Sequence, residues 1–436
     1  MLLIYLSRLT NRSKYIFDKI FIDDLGIPYT VTNDHTEFER HGQEKINYSK
    51  VKLKDELFIK ASPLLAENSI HEININVSSK NGIKVLFATD ESCDLGFDIF
   101  SAAFYMLTRY EEYLPHTPDK YGRFDVKNSV VFKNNFLEVP VVEYWIELLR
   151  GRLKEKFPLL VFKKSQFNAL VTYDVDVAYK FKGRNPKINA GSIVKDIIAL
   201  NFKNLRERND VFKNTLNDPW DTYDYLRKVI IQNKLNSIFF FLLADRSKHD
   251  RNIDYHSLSM QQLIKKVSDF SEIGIHPSFY TSASFEKINK EKQRLENLSG
   301  KTVTKSRQHF LKFNLPDTYN FLLQSGLRED YSMGFPYAPG FRAGTCKPFK
   351  FYDLKNETQT ELTIFPVTVM EGNFMHKKKF DKRSAIRTIT NLLNEVEKAK
   401  GIFISIWHNH TISDTNEFRD WRDIHEQMIE AIKAAY

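Results

Sequence analysis

The rhythm of apolar and polar positions changes near residue 165. Before it, 82–90 (GIKVLFATD) reads as a strand, and the stretches 98–114 and 141–157 carry apolar residues at the 3.6-residue spacing of helices. The first residues, MLLIYLSRLTNRSK, predict an opening strand or helix. After residue 165, short runs rich in β-branched and aromatic residues recur at 169–173, 237–243, 272–276, 362–367 and 402–407. Between them, 220–232, 259–270, 285–298, 316–325 and 384–400 have helical periodicity. This alternation predicts a parallel sheet or a barrel, where the chemistry collects at the C-terminal ends of the strands. The reading is therefore two domains: a smaller mixed α/β domain over 1–164, and an α/β domain over 165–436 with a helical insertion around 180–219.

Composition narrows the class. With 35 Phe and 20 Tyr the chain can fill two cores. Its longest clean apolar run, IFFFLLA at 238–244, is far short of the ~20 residues of a membrane helix. The N-terminus lacks the pattern of a secretory signal, and Cys93 and Cys346 form no spacing pattern, so a reducing cytoplasm is the expected location. The net charge of +9 comes from 64 basic and 55 acidic residues, but the basic groups are scattered, as in HKKK at 376–379. They read as solvated faces, and nucleic-acid binding is not expected. A homo-oligomer is allowed.

Polar residues stand where the strands of the second domain end. The run 169–173 leads into Asp174 and Asp176, whose i, i+2 spacing puts both carboxylates on one side. Held together they repel unless a cation sits between them or one keeps its proton. His276 precedes Pro277 and so closes its strand in an extended conformation; an imidazole there suits a first-row metal. The last strand ends in His408 and His410, again at i, i+2, and a histidine there can serve as general acid. His249, His256, His376 and His425 carry only a structural reading.

These residues, in this order, resemble the polysaccharide deacetylases, the NodB-homology carbohydrate esterases. TYDVD (172–176) resembles the family's Thr-Phe-Asp-Asp motif with one residue inserted, and HPSFY (276–280) its His-x-x-x-His, with Tyr280 in place of the second histidine. Two stretches compete for the arginine motif, 305–310 and 339–349. The first is chosen because a helix and a strand bearing Asp330 follow it. IWH (406–408) resembles the last motif. The resemblance covers about 165–436; a weaker one, on 96–115, is to an N-terminal companion domain of some bacterial deacetylase-like proteins.

The resemblance implies a distorted (β/α) barrel of about seven strands and hydrolysis of an acetyl group from an N-acetylated sugar in a glycan or its precursor. It further implies one divalent metal, zinc first, with cobalt, nickel or manganese as alternatives. Asp176 and His276 would hold the metal, with His309 replacing the missing ligand. Asp174 would be the general base, His408 the general acid, and Arg307 the group that holds Asp174. Substrate contacts would come from Arg342, Tyr280, Trp407, His410 and Asp330, and sugar rings could also stack on Phe279, Tyr331, Phe335, Tyr337 or Phe341. The competing readings are hydrolysis of another C–N or ester bond, and a carbohydrate-binding or scaffold member that has lost the chemistry, which Tyr280 favours.

Overall fold

A computed structural model describes residues 1–375, 381–413 and 415–436, so the HKKK group and His376 lie outside the described residues. The chain divides into two compact units. One comprises Met1–Phe167, Gly340–Pro366 and Glu395–Ile402; the other comprises Asn168–Pro339, Val367–Asn394 and Phe403–Tyr436. Among the described residues, no helix is long and apolar enough to cross a membrane.

The first unit holds a parallel sheet that the sequence reading did not foresee. Its strands are β1 (Leu2–Tyr5), β2 (Tyr29–Thr32), β3 (Lys45–Ser49) and β4 (Leu57–Lys60), in the order β2-β1-β3-β4. Strands of four or five residues are too short to show a period of their own. The run 82–90 shrinks to β6 (Ile83–Val85), paired with β5 (Ser78–Lys80). The helix expected over 98–114 stops at Leu107, two residues before Arg109 turns left-handed at φ 53°. Phe17, Tyr48 and Phe100 meet edge-to-face at 4.9–5.7 Å in the core.

The later segment 340–366 belongs to this unit rather than to the barrel domain expected there. Two polar contacts draw it in: the Arg342 guanidinium grips Glu112, and the buried Thr345 hydroxyl donates to Glu143. The strand expected at 362–367 is β13 (Thr358–Ile364), antiparallel to β12 (Phe349–Asp353). The turn between them is a carboxylate-capped one, in which Asp353 accepts from Lys355 N and Asn356 N.

In the second unit the strands are β7 (Asn168–Val175), β8 (Asn236–Phe241), β9 (Glu272–Ile275), β10 (Lys305–Ser306), β11 (Glu329–Asp330), β14 (Val369–Met370) and β15 (Ile402–His408). They lie in the order β11-β10-β9-β8-β7-β15-β14. Pairing is parallel from β7 through β11 and between β14 and β15. Strand pairing does not join β11 to β14 among the described residues, so barrel closure is not shown. One backbone bond, Val367 N to Met333 O at 2.9 Å, links the segment leaving β11 to the one entering β14. The insertion contains helices Pro186–Ile198 and Phe202–Phe212.

Candidate metal and acid–base centre

β7 builds the centre by alternation. Tyr173 points away from it, its hydroxyl hydrogen-bonded with His425 Nε2 at 3.0 Å; burial and the nearby Arg422 push that imidazole down to about 3. Thr172 and Asp174, on the opposite face, meet Arg307. One Arg307 nitrogen, Nη1, donates to Asp174 Oδ1 at 2.8 Å and to Thr172 Oγ1 at 2.7 Å. Nε donates to the Tyr331 carbonyl at 2.9 Å, and the guanidinium lies 4.4 Å from the Phe240 ring centre. Gly274 makes room for that ring, because a Cβ there would come within 2.6 Å of it. Arg307 has no exposure and Asp174 only 3%.

Three imidazoles then converge on Asp176 through their Nε2 atoms. His276 Nε2 lies 3.2 Å from Asp176 Oδ1; His309 and His408 Nε2 lie 3.4 and 3.5 Å from Oδ2. Each ring is fixed from behind at Nδ1. For His276 the partner is the Arg307 carbonyl at 2.5 Å, for His309 it is Asp250 at 2.9 Å, and for His408 it is Glu371 at 2.6 Å. A donor at Nδ1 leaves Nε2 as the atom that faces the centre. Just beyond His309, Phe310 and Leu311 hold φ of 61° and 51°, a left-handed pair without glycine.

Asp176 and two of the histidines stabilise one another's charge. Burial alone would raise the Asp176 carboxyl, but His309, His408 and His276 outweigh it and hold it well below the usual carboxylate range. Burial would likewise depress the histidines. Instead Asp176 and Asp250 raise His309 to about 9, and Glu371 and Asp176 raise His408 to about 10. His410 differs: burial and the neighbouring His408 lower it to about 4, and its ring lies among Trp220 and Phe418.

Asp176, His276 and His309 each offer a ligand atom within 4.8 Å of the others'. They fit a divalent ion on a local observation. Asp176 Oδ1 is buried without a hydrogen bond among the described residues, and it faces a histidine whose Nδ1 proton already goes to a carbonyl. An ion held by this group would satisfy that carboxylate oxygen.

Other expected contacts are placed elsewhere. Arg342 is 1% exposed in the first unit, where Glu112 occupies its guanidinium. Asp330 is fully buried and accepts from Ser332 N, Ser332 Oγ and Ser306 Oγ; burial, partly offset by these bonds, raises it to about 6. It therefore braces β10 and β11 rather than meeting a substrate. Trp407 is 1% exposed and packs edge-on against His425, because alternation turns it to the face opposite His408. Tyr280 is 45% exposed and outside the ligand group. Tyr337 is also exposed, whereas Phe279, Tyr331, Phe335 and Phe341 are buried. Asp250 and Glu371, which orient two of the histidines, were missed: each is a lone acid in a loop or at a short strand's end, with no spacing to mark it.

A family model described as a family of unknown function (DUF7033) matches residues 2–158. Comparison with curated proteins finds no match. Among solved structures, the chain aligns with one assigned to a polysaccharide deacetylase from Mycobacterium smegmatis at 14% identity and a TM-score of 0.41, covering 62% of this chain and 85% of that one. The catalytic domain of a peptidoglycan N-acetylglucosamine deacetylase from Eubacterium rectale aligns at 11% identity and a TM-score of 0.31, covering 63% and 87%. A CE4 family pseudoenzyme from Bacillus anthracis aligns at 10% identity and 0.29, covering 62% of each chain. At these scores the functional reading rests on the centre's own geometry.

Proposed function

We propose that the second unit is a metal-dependent hydrolase that removes acetyl groups from N-acetylated carbohydrate. The observation that carries this is the convergence of three Nδ1-anchored imidazoles on Asp176, beside an Asp174 held by a buried arginine. Asp176, His276 and His309 would hold the ion. When bound, it supplies Lewis acidity toward an acyl carbonyl and a water.

The chain's own groups do the rest. Asp174 Oδ1 is engaged by Arg307, which leaves Oδ2, 3.7 Å from His276 Nε2, as the atom that takes the attacking water's proton. His408, held protonated by Glu371 and Asp176 against its burial, gives a proton to the leaving amine. Glu371 fixes His408 twice, through its ring Nδ1 and its backbone N–H at 2.8 Å. Tyr280, half exposed, is free to lie along a sugar.

The test pairs metal analysis with acetate release. After exposure to zinc and exhaustive desalting, the chain should retain about one ion. His309→Ala should weaken retention by at least about tenfold, and Tyr280→Phe should leave it unchanged. His309→Ala binding as tightly as wild type would overturn the ligand set. Loaded enzyme that frees no acetate from N-acetylglucosamine oligomers would overturn the substrate class, and release from O-acetylated sugars alone would move the reading to an esterase.

A further inference from the structure

The first unit has a cavity of its own, about 580 Å³, where parallel strands β1, β3 and β4 end. The sheet order is what opens it. From β1 the chain runs out to β2 on one side, returns to β3 on the other side of β1, and moves outward again to β4. The connections leaving β1 and β3 therefore part in opposite directions, and a crevice forms outside the strand ends between them. In open α/β sheets this switch point is where ligands bind.

The crevice is built, not merely left over. The β3–β4 loop is pinned by two buried side chains: Glu56 accepts from Leu53 N and Lys54 N at 2.7 Å, and Asn47 donates to Glu56 and to the Val51 carbonyl. The loop after β4 is held by fully buried Asp98, which accepts from Ser62 N and the Tyr48 hydroxyl. The loop after β1 is tied down by Thr10, whose hydroxyl donates to the Leu65 carbonyl.

On these fixed loops Tyr5, Tyr48, Leu53 and Pro63 give apolar walls, and the exposed Arg8 and Lys50 also line the cavity. Nearby lysines have partners: Lys52 with Asp94, Lys54 with Glu39 and Lys60 with Asp90. Arg8 and Lys50 form no ion pair among the described residues. Glu67, the single carboxylate in the lining, lies 3.5 Å from His71. Two unpaired cations lining a largely apolar slot match a ligand that carries a phosphate and a flat or apolar body. The volume is in the range of small-molecule sites.

We propose that this cavity binds a phosphorylated small molecule of mononucleotide type, independently of the chemistry in the second unit. Calorimetric titration of the full chain with AMP, adenosine and inorganic phosphate tests it. AMP should bind at one site per chain, more tightly than adenosine or phosphate alone. Arg8→Ala with Lys50→Ala should weaken AMP at least about tenfold, and Leu53→Trp should block it by filling the slot. Both cations are exposed, so the double variant keeps its fold, which circular dichroism checks. No AMP binding at millimolar concentration, or equal binding by the double variant, overturns the proposal. Phosphate binding as tightly as AMP would remove the apolar wall from it.

Discussion

Both units carry candidate sites at the C-terminal ends of parallel strands, but they treat charge in opposite ways. In the second unit the working groups are held by named partners: Asp174 by Arg307, His309 by Asp250, His408 by Glu371. In the first, Arg8 and Lys50 line a largely apolar slot, exposed and without an ion pair among the described residues. A site that moves protons needs fixed neighbours to set orientation and charge. A site that only binds an anion does better with cations left open for it.

The largest effect should come from removing a fixed partner at the reacting position. Asp174→Asn should lower turnover by about 10³-fold or more while metal content stays at wild-type level. Surviving activity would show that the base lies elsewhere and would blur the contrast. Next, two arginines of the first unit can be set against each other. Glu112 is buried between Arg342 and Arg109; burial would raise its carboxyl, but the two guanidinium groups hold it at about 2. Arg342→Ala should destabilise by ~3 kcal/mol in denaturant unfolding. Arg8→Ala, at an unpaired exposed site, should change stability by less than ~0.5 kcal/mol. Equal losses would break the comparison.

A pH-dependent effect of similar size concerns an acid that the centre does not use directly. Burial holds the Asp330 carboxyl at about 6, against 3.8 when free, so the folded state retains its proton where the unfolded state has lost it. That contribution to stability is full below pH 4 and disappears as pH rises through 6, a change of ~3 kcal/mol. Asp330→Asn should flatten this part of the pH–stability curve. A curve parallel to wild type would show that Asp330 does not titrate in that range.

The same contrast explains what the sequence disclosed. Asp174, Asp176, His276 and His408 were legible because a polar group that ends an apolar strand is an anomaly, and four anomalies in order are hard to miss. His309 emerged only through the gap left by Tyr280. Asp250 and Glu371 were illegible because a carboxylate in a loop is ordinary until folding sets a histidine against it. Arg342 was misplaced because composition does not tell which core a glycine-rich loop returns to, and Trp407 because strand alternation was not carried one residue further. The first unit's sheet escaped notice because strands of four or five residues leave no period, and Arg8 and Lys50 are common surface residues. Burial gives a pattern its contrast, and exposed binding groups lack it.

Arg307 serves the centre in two currencies of unequal durability. Its guanidinium orients Asp174, and its carbonyl oxygen anchors His276. The first belongs to arginine alone, whereas every amino acid brings the second. Replacement of this one residue would therefore strip the proton acceptor of its support and leave the histidine anchored. On the proposed function, descendants of this chain could fall silent in a single step and still bind the ion, so that metal retention and turnover would be separable traits.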